Sequence, residues 1–240
     1  MFRKLIITTI VALSVLNAQG QINVNEILNS VNSEGSGANL SEEQISAGLK
    51  EALEKGAEAA VKSTSVEDGF FGNNLIKIPF PPEASQMEDK LRSIGMSEQV
   101  DDFILALNRA AEDASKSALP ILTDAVTGMT VKDGMEILKG PDDAATSYLR
   151  NTTGNQLSAE FTPIVRQSLE NVDVTRYWTP LVNTYNSIPF VKKQDPDLER
   201  YVTEKGIDGL FTMIAKEEKT IREDPMARTS DLLKKVFGSD

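Results

Sequence analysis

The chain has 240 residues, a formal net charge of −11, and neither cysteine nor histidine. The absence of those two residue types excludes disulfides, cysteine nucleophiles, Ser-His-Asp triads and the usual structural zinc sites. We therefore expect no metal and no cofactor. The acidic balance argues against nucleic acid and anionic membrane surfaces as partners, because both are bound through basic side chains.

The first twenty residues have the features of a signal peptide. A basic segment at residues 2–4 precedes an apolar run at residues 5–16, and Ala18-Gln19-Gly20 supplies small residues at the cleavage site. The sequence predicts cleavage after Gly20 and a periplasmic or secreted protein, with an uncleaved N-terminal anchor as the alternative. No later segment is apolar over the length of a membrane-spanning helix, so we expect none after cleavage.

Residues 21–39 predict a flexible N-terminal segment, because they include the run Asn-Ser-Glu-Gly-Ser-Gly. Ser41 and Gln44 then form the pattern of a capping box, which predicts a helix extending to about Lys62. Small residues recur every fourth position along one side of this helix and indicate that another helix approaches closely: Gly48, Ala52 and Gly56.

Residues 66–82, here called the strap, have no helical pattern. The segment contains Asp-Gly and Gly-Asn turn signals around two phenylalanines, followed by an alternating run that ends in three prolines. Because proline removes backbone donors, the strap predicts extended structure rather than a central strand. Two interpretations stay open: a mobile flap over a pocket, or a crossover that inserts phenylalanine into a helical core. We favour the crossover.

The clearest helix begins at Ser97, which we interpret as its N-cap. Pro120 predicts a kink or break near Ser117. Arg109 and Glu112 lie one turn apart on the opposite side from an apolar seam, either as an exposed pair or in a buried role. The seam has a 4-3-4-3 spacing typical of close helix packing: Val100, Ile104, Leu107, Ala111, Ala114, Ala118, Ile121 and Ala125.

Further helix signals continue to the C-terminal region. Thr130 starts a helix that ends at Gly140, Pro141 opens another, and Asn-Thr-Thr-Gly-Asn at residues 151–155 predicts a turn. Apolar periodicity then marks helices around residues 157–169 and 177–188. The pattern predicts an all-α single domain over residues 40–240, with about eight or nine packed helices and one extended Pro-rich strap.

An amphipathic helix near the C-terminus carries an acid within its apolar stripe. Glu218 falls inside the stripe and Arg222 lies on its edge. A buried carboxylate is costly unless paired, so Glu218 is predicted to be paired, protonated or at the rim. Gly206 and Gly209 indicate a kink or burial on two sides. Pro225 ends the helix, and a short last helix follows from Thr229 or Ser230. The stripe comprises Ile207, Leu210, Phe211, Ile214 and Ile221.

Three segments resemble an exported bacterial family known only as domain of unknown function 4197: residues 75–79, 107–112 and 210–238. The most specific part is Glu217-Glu218…Ile221-Arg222…Pro225-Met-Ala-Arg228-Thr, and the likeness extends from about Leu40 to Gly238. The resemblance implies export and one helical domain. It implies no activity, so no functional residue is transferred from the family.

The candidate site is a polar cluster drawn from two distant helices: Arg109, Glu112, Glu217, Glu218, Arg222 and Arg228. Three interpretations stay open. The first is a salt-bridge network that fixes helix register. The second is a pocket that binds an anionic or amphipathic ligand through arginine. The third is a pair of catalytic acids in a hydrolase.

The function inferred at this stage is that of an exported, soluble, non-enzymatic protein that binds a partner protein or a small amphipathic or anionic ligand. The alternative is a carboxylate-dependent hydrolase that acts on cell-envelope polymers.

Overall fold

The computed structural model describes residues 41–171, 174–193 and 197–223, with the side chains of residues 174–177 left aside. The predicted leader, the flexible segment at residues 21–39, Arg228 and the predicted last helix lie outside the described residues. The described part of the chain forms a single all-α domain, as predicted. It contains one 3-10 helix (Pro82–Ala84) and eight α-helices: α1 (Glu42–Thr64), α2 (Ser85–Ser93), α3 (Ser97–Ser115), α4 (Ala118–Gly128), α5 (Val131–Lys139), α6 (Ala144–Asn171), α7 (Val174–Asn186) and α8 (Leu198–Glu223).

Helix α8 lies at the centre of the packing. It contacts α1, α3 and α6, while α3 also packs against α6 and α7. The predicted seam of α3 and α4 is confirmed, since its residues are buried except for the partly buried Ala125. None of the described helices combines the length and the apolar character needed to cross a membrane.

Local sequence signals set several helix boundaries. The predicted capping box at Ser41 and Gln44 is confirmed, with reciprocal hydrogen bonds of 3.0 and 3.3 Å. Thr130 and Asp133 form a second capping box at the start of α5. Gly95, at φ 91°, lets the chain leave α2 in a left-handed conformation that is favourable for glycine. These boundaries follow from short-range hydrogen bonds that the sequence specifies directly.

The boundaries of α3 are partly as predicted. The break near Ser117 is confirmed, because α3 ends at Ser115 and α4 begins at Ala118, with Pro120 in its first turn. The N-cap prediction is wrong: Ser97 is the first residue of the helix, Met96 precedes it, and no side chain caps the helix. Proline is tolerated in the first turn because its missing N–H would have no helical partner there.

The turn predicted at residues 151–155 is also wrong. Helix α6 continues through this segment without interruption. The hydroxyl groups of Thr152 and Thr153 donate to backbone oxygens one turn earlier, both at 2.8 Å, and Thr153 is buried. Packing of the helix against its neighbours therefore outweighs the local turn preference of Asn, Thr and Gly.

The strap crosses the helices and fills their core. Phe70, Ile78 and Phe80 are at most 3 % exposed. Asn108 of α3 holds the strap through both groups of its side-chain amide: Ile78 N–H donates to Oδ1, and Nδ2 donates to the Ile78 oxygen, each at 2.8 Å. The ring of Phe80 packs 5.2 Å from that of Phe103. The structure supports the crossover interpretation over the flap.

Helix α8 is continuous through its two glycines and buried on two sides. A Cβ at Gly206 would lie 3.5 Å from Ala111 Cβ, whereas one at Gly209 would collide with the ring of Phe70. Gly56 in α1 confirms the predicted close approach, since a Cβ there would lie 3.6 Å from Glu217 Cβ. The glycines serve close packing against neighbouring elements and do not mark a kink.

Candidate functional site

The structure arranges the predicted cluster as two pairs. On α3, Arg109 and Glu112 form an ion pair at 2.7 Å. On α8, Arg222 and Glu218 form another at 2.8 Å. Glu217 is half-buried on α8. Each pair has its own set of further partners, so we treat the pairs as two sites.

Glu112 has a buried role, which decides between the two interpretations of its sequence position. Its carboxylate is 4 % exposed. The backbone N–H groups of Phe70 and Phe71 donate to Oε1 at 3.0 and 3.2 Å, and Arg109 donates to Oε2 at 2.7 Å. The carboxylate therefore fixes the start of the strap to α3 and has both oxygens engaged by donors of three residues.

The strap begins in a tightly constrained turn. Asp68 has φ 64°, a conformation that costs energy in a residue other than glycine. Backbone oxygens lie 2.6–2.9 Å from any Cβ placed on Gly69, so only glycine fits. Arg109 donates to Asp68 Oδ1 at 2.7 Å and completes the support of the turn. These contacts give the turn one well-defined shape.

Arg109 is held by acids on two elements. Its guanidinium donates to Glu112 and Asp68, and more weakly to Glu67 at 3.4 Å. Burial opposes the charge, but the hydrogen bonds to Glu112 and Asp68 outweigh it and raise the pKa of Arg109. A guanidinium has five N–H donors, of which three are used in these contacts. Arg109 thus remains charged, has a fixed orientation and keeps donors for a further acceptor.

An open groove of about 420 Å³ adjoins Arg109. It is lined by residues at the start of the strap, by α3 and by the C-terminal end of α6. We call it the Arg109 groove. Its lining is mostly polar: Ser65, Val66, Glu67, Arg109, Glu112, Asp113, Lys116, Ser168 and Asn171.

Asp113 and Lys116 continue the charged face of α3 away from the turn. Lys116 donates to Asp113 Oδ1 at 2.8 Å, and the hydroxyl of Ser168 on α6 donates to Oδ2. The bond from Lys116, and then that from Ser168, lowers the pKa of Asp113 below its ordinary value. Sequence reasoning missed these residues, although Arg109, Glu112, Asp113 and Lys116 are spaced i, i+3, i+4, i+7 on one helical face.

Glu218 is the centre of the second site and is only 7 % exposed. It accepts from the backbone N–H groups of Ala145 and Thr146 at 3.1 and 2.9 Å, and from the Thr146 hydroxyl at 2.7 Å. These donors belong to the first turn of α6, where a negative charge is favourable. Of the three alternatives for this residue, the structure shows the paired one.

Arg222 completes the second site. It donates to Glu218 through Nε and Nη2 at 3.0 and 2.8 Å, and to the Ile137 oxygen at 3.3 Å. The pocket beside it is lined mainly by apolar side chains of α1 and α8 and measures about 20 Å³. That volume holds about one water molecule. This site joins α8 to α5 and α6, which agrees with the salt-bridge interpretation.

The two sites differ in what they can do chemically. Within the described residues, no group of three acidic side chains is arranged to hold a metal ion. The Arg109 groove offers fixed donors, several carboxylates and space for a small molecule. The Glu218 site offers a saturated ion pair with little space.

Comparison with known proteins identifies a family and nothing closer. No curated protein and no solved structure matches the chain. The sequence model of a family described as "Protein of unknown function (DUF4197)" matches residues 39–238. This confirms the resemblance noted from the sequence. The chain belongs to the DUF4197 family.

Proposed function

We propose that the protein is an exported, non-enzymatic binding protein that takes a small polar ligand with an anionic group into the Arg109 groove. The observation that carries this proposal is a fixed guanidinium with donors to spare beside about 420 Å³ of open space. Cavities of about 300–1,000 Å³ are typical of small-molecule sites. Export rests on the sequence of the first twenty residues.

The groove is suited to anion recognition because its donors are already in place. Glu112 and Asp68 hold Arg109 at 2.7 Å each. A ligand therefore does not have to order this side chain, which lowers the entropic cost of binding. Lys116 contributes an ammonium group whose side chain is 63 % exposed. A charge-assisted hydrogen bond from Lys116 would fix an acidic group of the ligand, and the remaining N–H donors of Arg109 would bind its other oxygen atoms.

An amphipathic ligand is supported less well than a polar one. The apolar pocket next to Arg222 measures about 20 Å³, which is far smaller than an apolar tail. The larger groove is lined by charged and hydroxyl side chains, with Val66 as its one apolar lining residue among those described. The geometry therefore favours a compact polar ligand.

The hydrolase alternative also has less support than binding. A glycosidase-type mechanism needs one carboxyl group with a raised pKa facing a second carboxylate. In the groove, Lys116 and Ser168 shift the pKa of Asp113 in the opposite direction. Glu112 has both oxygens engaged by the strap and Arg109. Neither acid is arranged as a proton donor to a substrate.

The test compares two peptides that differ only in one charge. We expect N-acetyl-triglycine, which has a free carboxylate, to bind more tightly than the neutral N-acetyl-triglycinamide in an NMR titration. Amide shifts should cluster at Ser65–Glu67, Arg109–Lys116 and Ser168–Asn171. Lys116→Gln should lower the affinity for the anionic peptide by about fivefold, since an exposed ion pair contributes up to about 1 kcal/mol.

Lys132→Gln is the matched control, because Lys132 is an exposed lysine on α5 with an acid at 3.6 Å. It should leave the affinity unchanged. Equal binding of the two peptides, or an unchanged affinity in Lys116→Gln, would overturn the proposal.

A further inference from the structure

The charges along the groove are ordered. Lys116 directly follows the last residue of α3, seven positions after Arg109, and Glu112 and Asp113 lie between them in the chain. Seven residues of helix correspond to a distance of about 10 Å. Glu67 lies at the Arg109 end, 3.4 Å from the guanidinium. The groove thus has a turn end, at Arg109, and a distal end, at Lys116.

The two ends differ in net charge. At the turn end, one guanidinium is surrounded by three carboxylates, those of Glu67, Asp68 and Glu112. At the distal end, Lys116 pairs with Asp113 at 2.8 Å, its one ion-pair partner among the described residues. The turn end therefore carries an excess of negative charge, whereas the distal end is balanced. A positively charged group of a ligand is therefore favoured at the turn end over the distal end.

Few of these groups are available to a ligand. Both oxygens of Glu112 are engaged, and so are both oxygens of Asp113. Glu67 is different, because its side chain is 83 % exposed and its contact with Arg109 is long. Asp68 is engaged by Arg109 through Oδ1 at 2.7 Å and does not line the groove. Among the described carboxylates that line the groove, Glu67 is thus the one that can pair with a ligand, and Lys116 is the ammonium group that can do so.

On the basis of the proposed function, we infer that the ligand is a zwitterion. Its ammonium group lies beside Glu67, and its carboxylate lies at Lys116. An extended peptide spans about 3.3–3.6 Å per residue, so two or three residues match the distance between the ends. Di- and tripeptides with free termini are the chemical class that fits. Their peptide oxygens can accept the remaining N–H donors of Arg109.

The experiment adds the missing charge to the peptide series. Triglycine has both terminal charges, N-acetyl-triglycine lacks the ammonium group, and triglycinamide lacks the carboxylate. By isothermal titration calorimetry we expect triglycine to bind about fivefold more tightly than either, the effect of one exposed ion pair. Free glycine is too short to reach both ends and should bind at least as weakly as the single-charge peptides.

Two variants test which side chain pairs with each terminal charge of the peptide. Glu67→Gln should abolish the preference for triglycine over N-acetyl-triglycine and keep the preference over triglycinamide. Lys116→Gln should abolish the preference for triglycine over triglycinamide and keep the preference over N-acetyl-triglycine. Both side chains are largely exposed, so both variants should fold. Glu136→Gln, on the exposed face of α5, is the control and should change neither preference.

The outcomes separate the inference from the proposed function. If N-acetyl-triglycine binds as tightly as triglycine, or if Glu67→Gln keeps the preference, the zwitterion inference is wrong. The proposed function would still stand in that case, provided that N-acetyl-triglycine binds better than its amide. If no member of the series shifts groove residues, both fail.

Discussion

Glu112 on α3 and Glu218 on α8 have the same local chemistry in different surroundings. Each is a buried acid, 4 % and 7 % exposed respectively, paired with an arginine on its own helix. Each also accepts two consecutive backbone N–H groups from a distant segment. In both cases one carboxylate joins two elements that are far apart in sequence.

The surroundings of the two acids differ in accessible space. Beside Glu218 there is an apolar pocket of about 20 Å³, and beside Glu112 a groove of about 420 Å³. Arg222 is 15 % exposed, whereas Arg109 is 27 % exposed. A buried ion pair is therefore weak evidence of function by itself, because structural and functional sites share it. Open polar space next to the pair is what distinguishes them.

The largest effect should come from removing the charge at Glu218. Glu218→Gln leaves Arg222 without its anion and places an amide N–H₂ among backbone donors. Breaking a buried pair in this way costs about 3–5 kcal/mol. We expect a loss of about 3 kcal/mol in the free energy of unfolding, measured by urea denaturation. At low denaturant, where the variant is folded, its affinity for N-acetyl-triglycine should match that of the unchanged protein.

Glu112→Gln provides the comparison for this prediction. It should lose stability to a similar degree and also weaken peptide binding, because Arg109 loses one of its anchors. Glu136→Gln, an exposed acid on α5, should change stability by less than about 0.5 kcal/mol. A Glu218→Gln protein as stable as the unchanged one would contradict the structural role assigned to this pair.

A smaller effect concerns the packing that supports the turn at Glu112. Phe70 follows that turn and lies against Gly209, where a new Cβ would collide with its ring and lie 3.2 Å from Ile76 Cβ. Overpacking costs about 1–3 kcal/mol, whereas replacing glycine by alanine in a helix contributes up to about 1 kcal/mol. We expect Gly209→Ala to be destabilised by about 1 kcal/mol in thermal unfolding.

Gly206→Ala is the matched control on the same helix. Its new Cβ would make ordinary contacts, 3.5 Å from Ala111 Cβ and 3.8 Å from the Phe161 ring. The gain in helix propensity should then dominate, and stability should be unchanged or slightly higher. If both variants change stability in the same direction, Phe70 does not hold the turn against α8 as tightly as the structure indicates.

Much of the fold follows from short-range patterns. The capping box at Ser41, the 4-3-4-3 seam of α3 and the effect of Pro120 are each specified by residues within a few turns. The need of Glu218 for a partner was predictable, because a buried carboxylate on an apolar stripe is costly unless it is paired. Its partners at Ala145 and Thr146 were not, since they lie more than 70 residues away and no periodicity connects them.

The parts that sequence reasoning missed depend on tertiary context. Residues 151–155 have turn propensity, but packing keeps them helical. The Arg109 groove combines α3 with Glu67, 42 residues before Arg109, and with Ser168, 55 residues after Asp113. Only the charged face of α3 was visible in the sequence.

The smallest effect should be a shift in the titration of one groove carboxylate, that of Asp113. Lys116 and then Ser168 lower the pKa of Asp113 from its ordinary value of 3.8. A group with a lowered folded-state pKa stabilises the fold above its unfolded pKa, and this contribution is lost as the pH falls through the folded value. Ser168→Ala removes one donor, so the pKa of Asp113 should rise toward 3.8 and this stabilisation should decrease.

The measurement is an NMR titration of side-chain carboxyl carbons between neutral and acidic pH. Asp133 is an internal control, because its pKa is lowered by hydrogen bonds from Thr130, at the start of α5, and should be the same in both proteins. An Asp113 pKa that stays unchanged in Ser168→Ala would show that Lys116 alone sets it. The hydroxyl of Ser168 would then be free to turn toward a ligand, and α6 would contribute a donor to the groove as well as part of its lining.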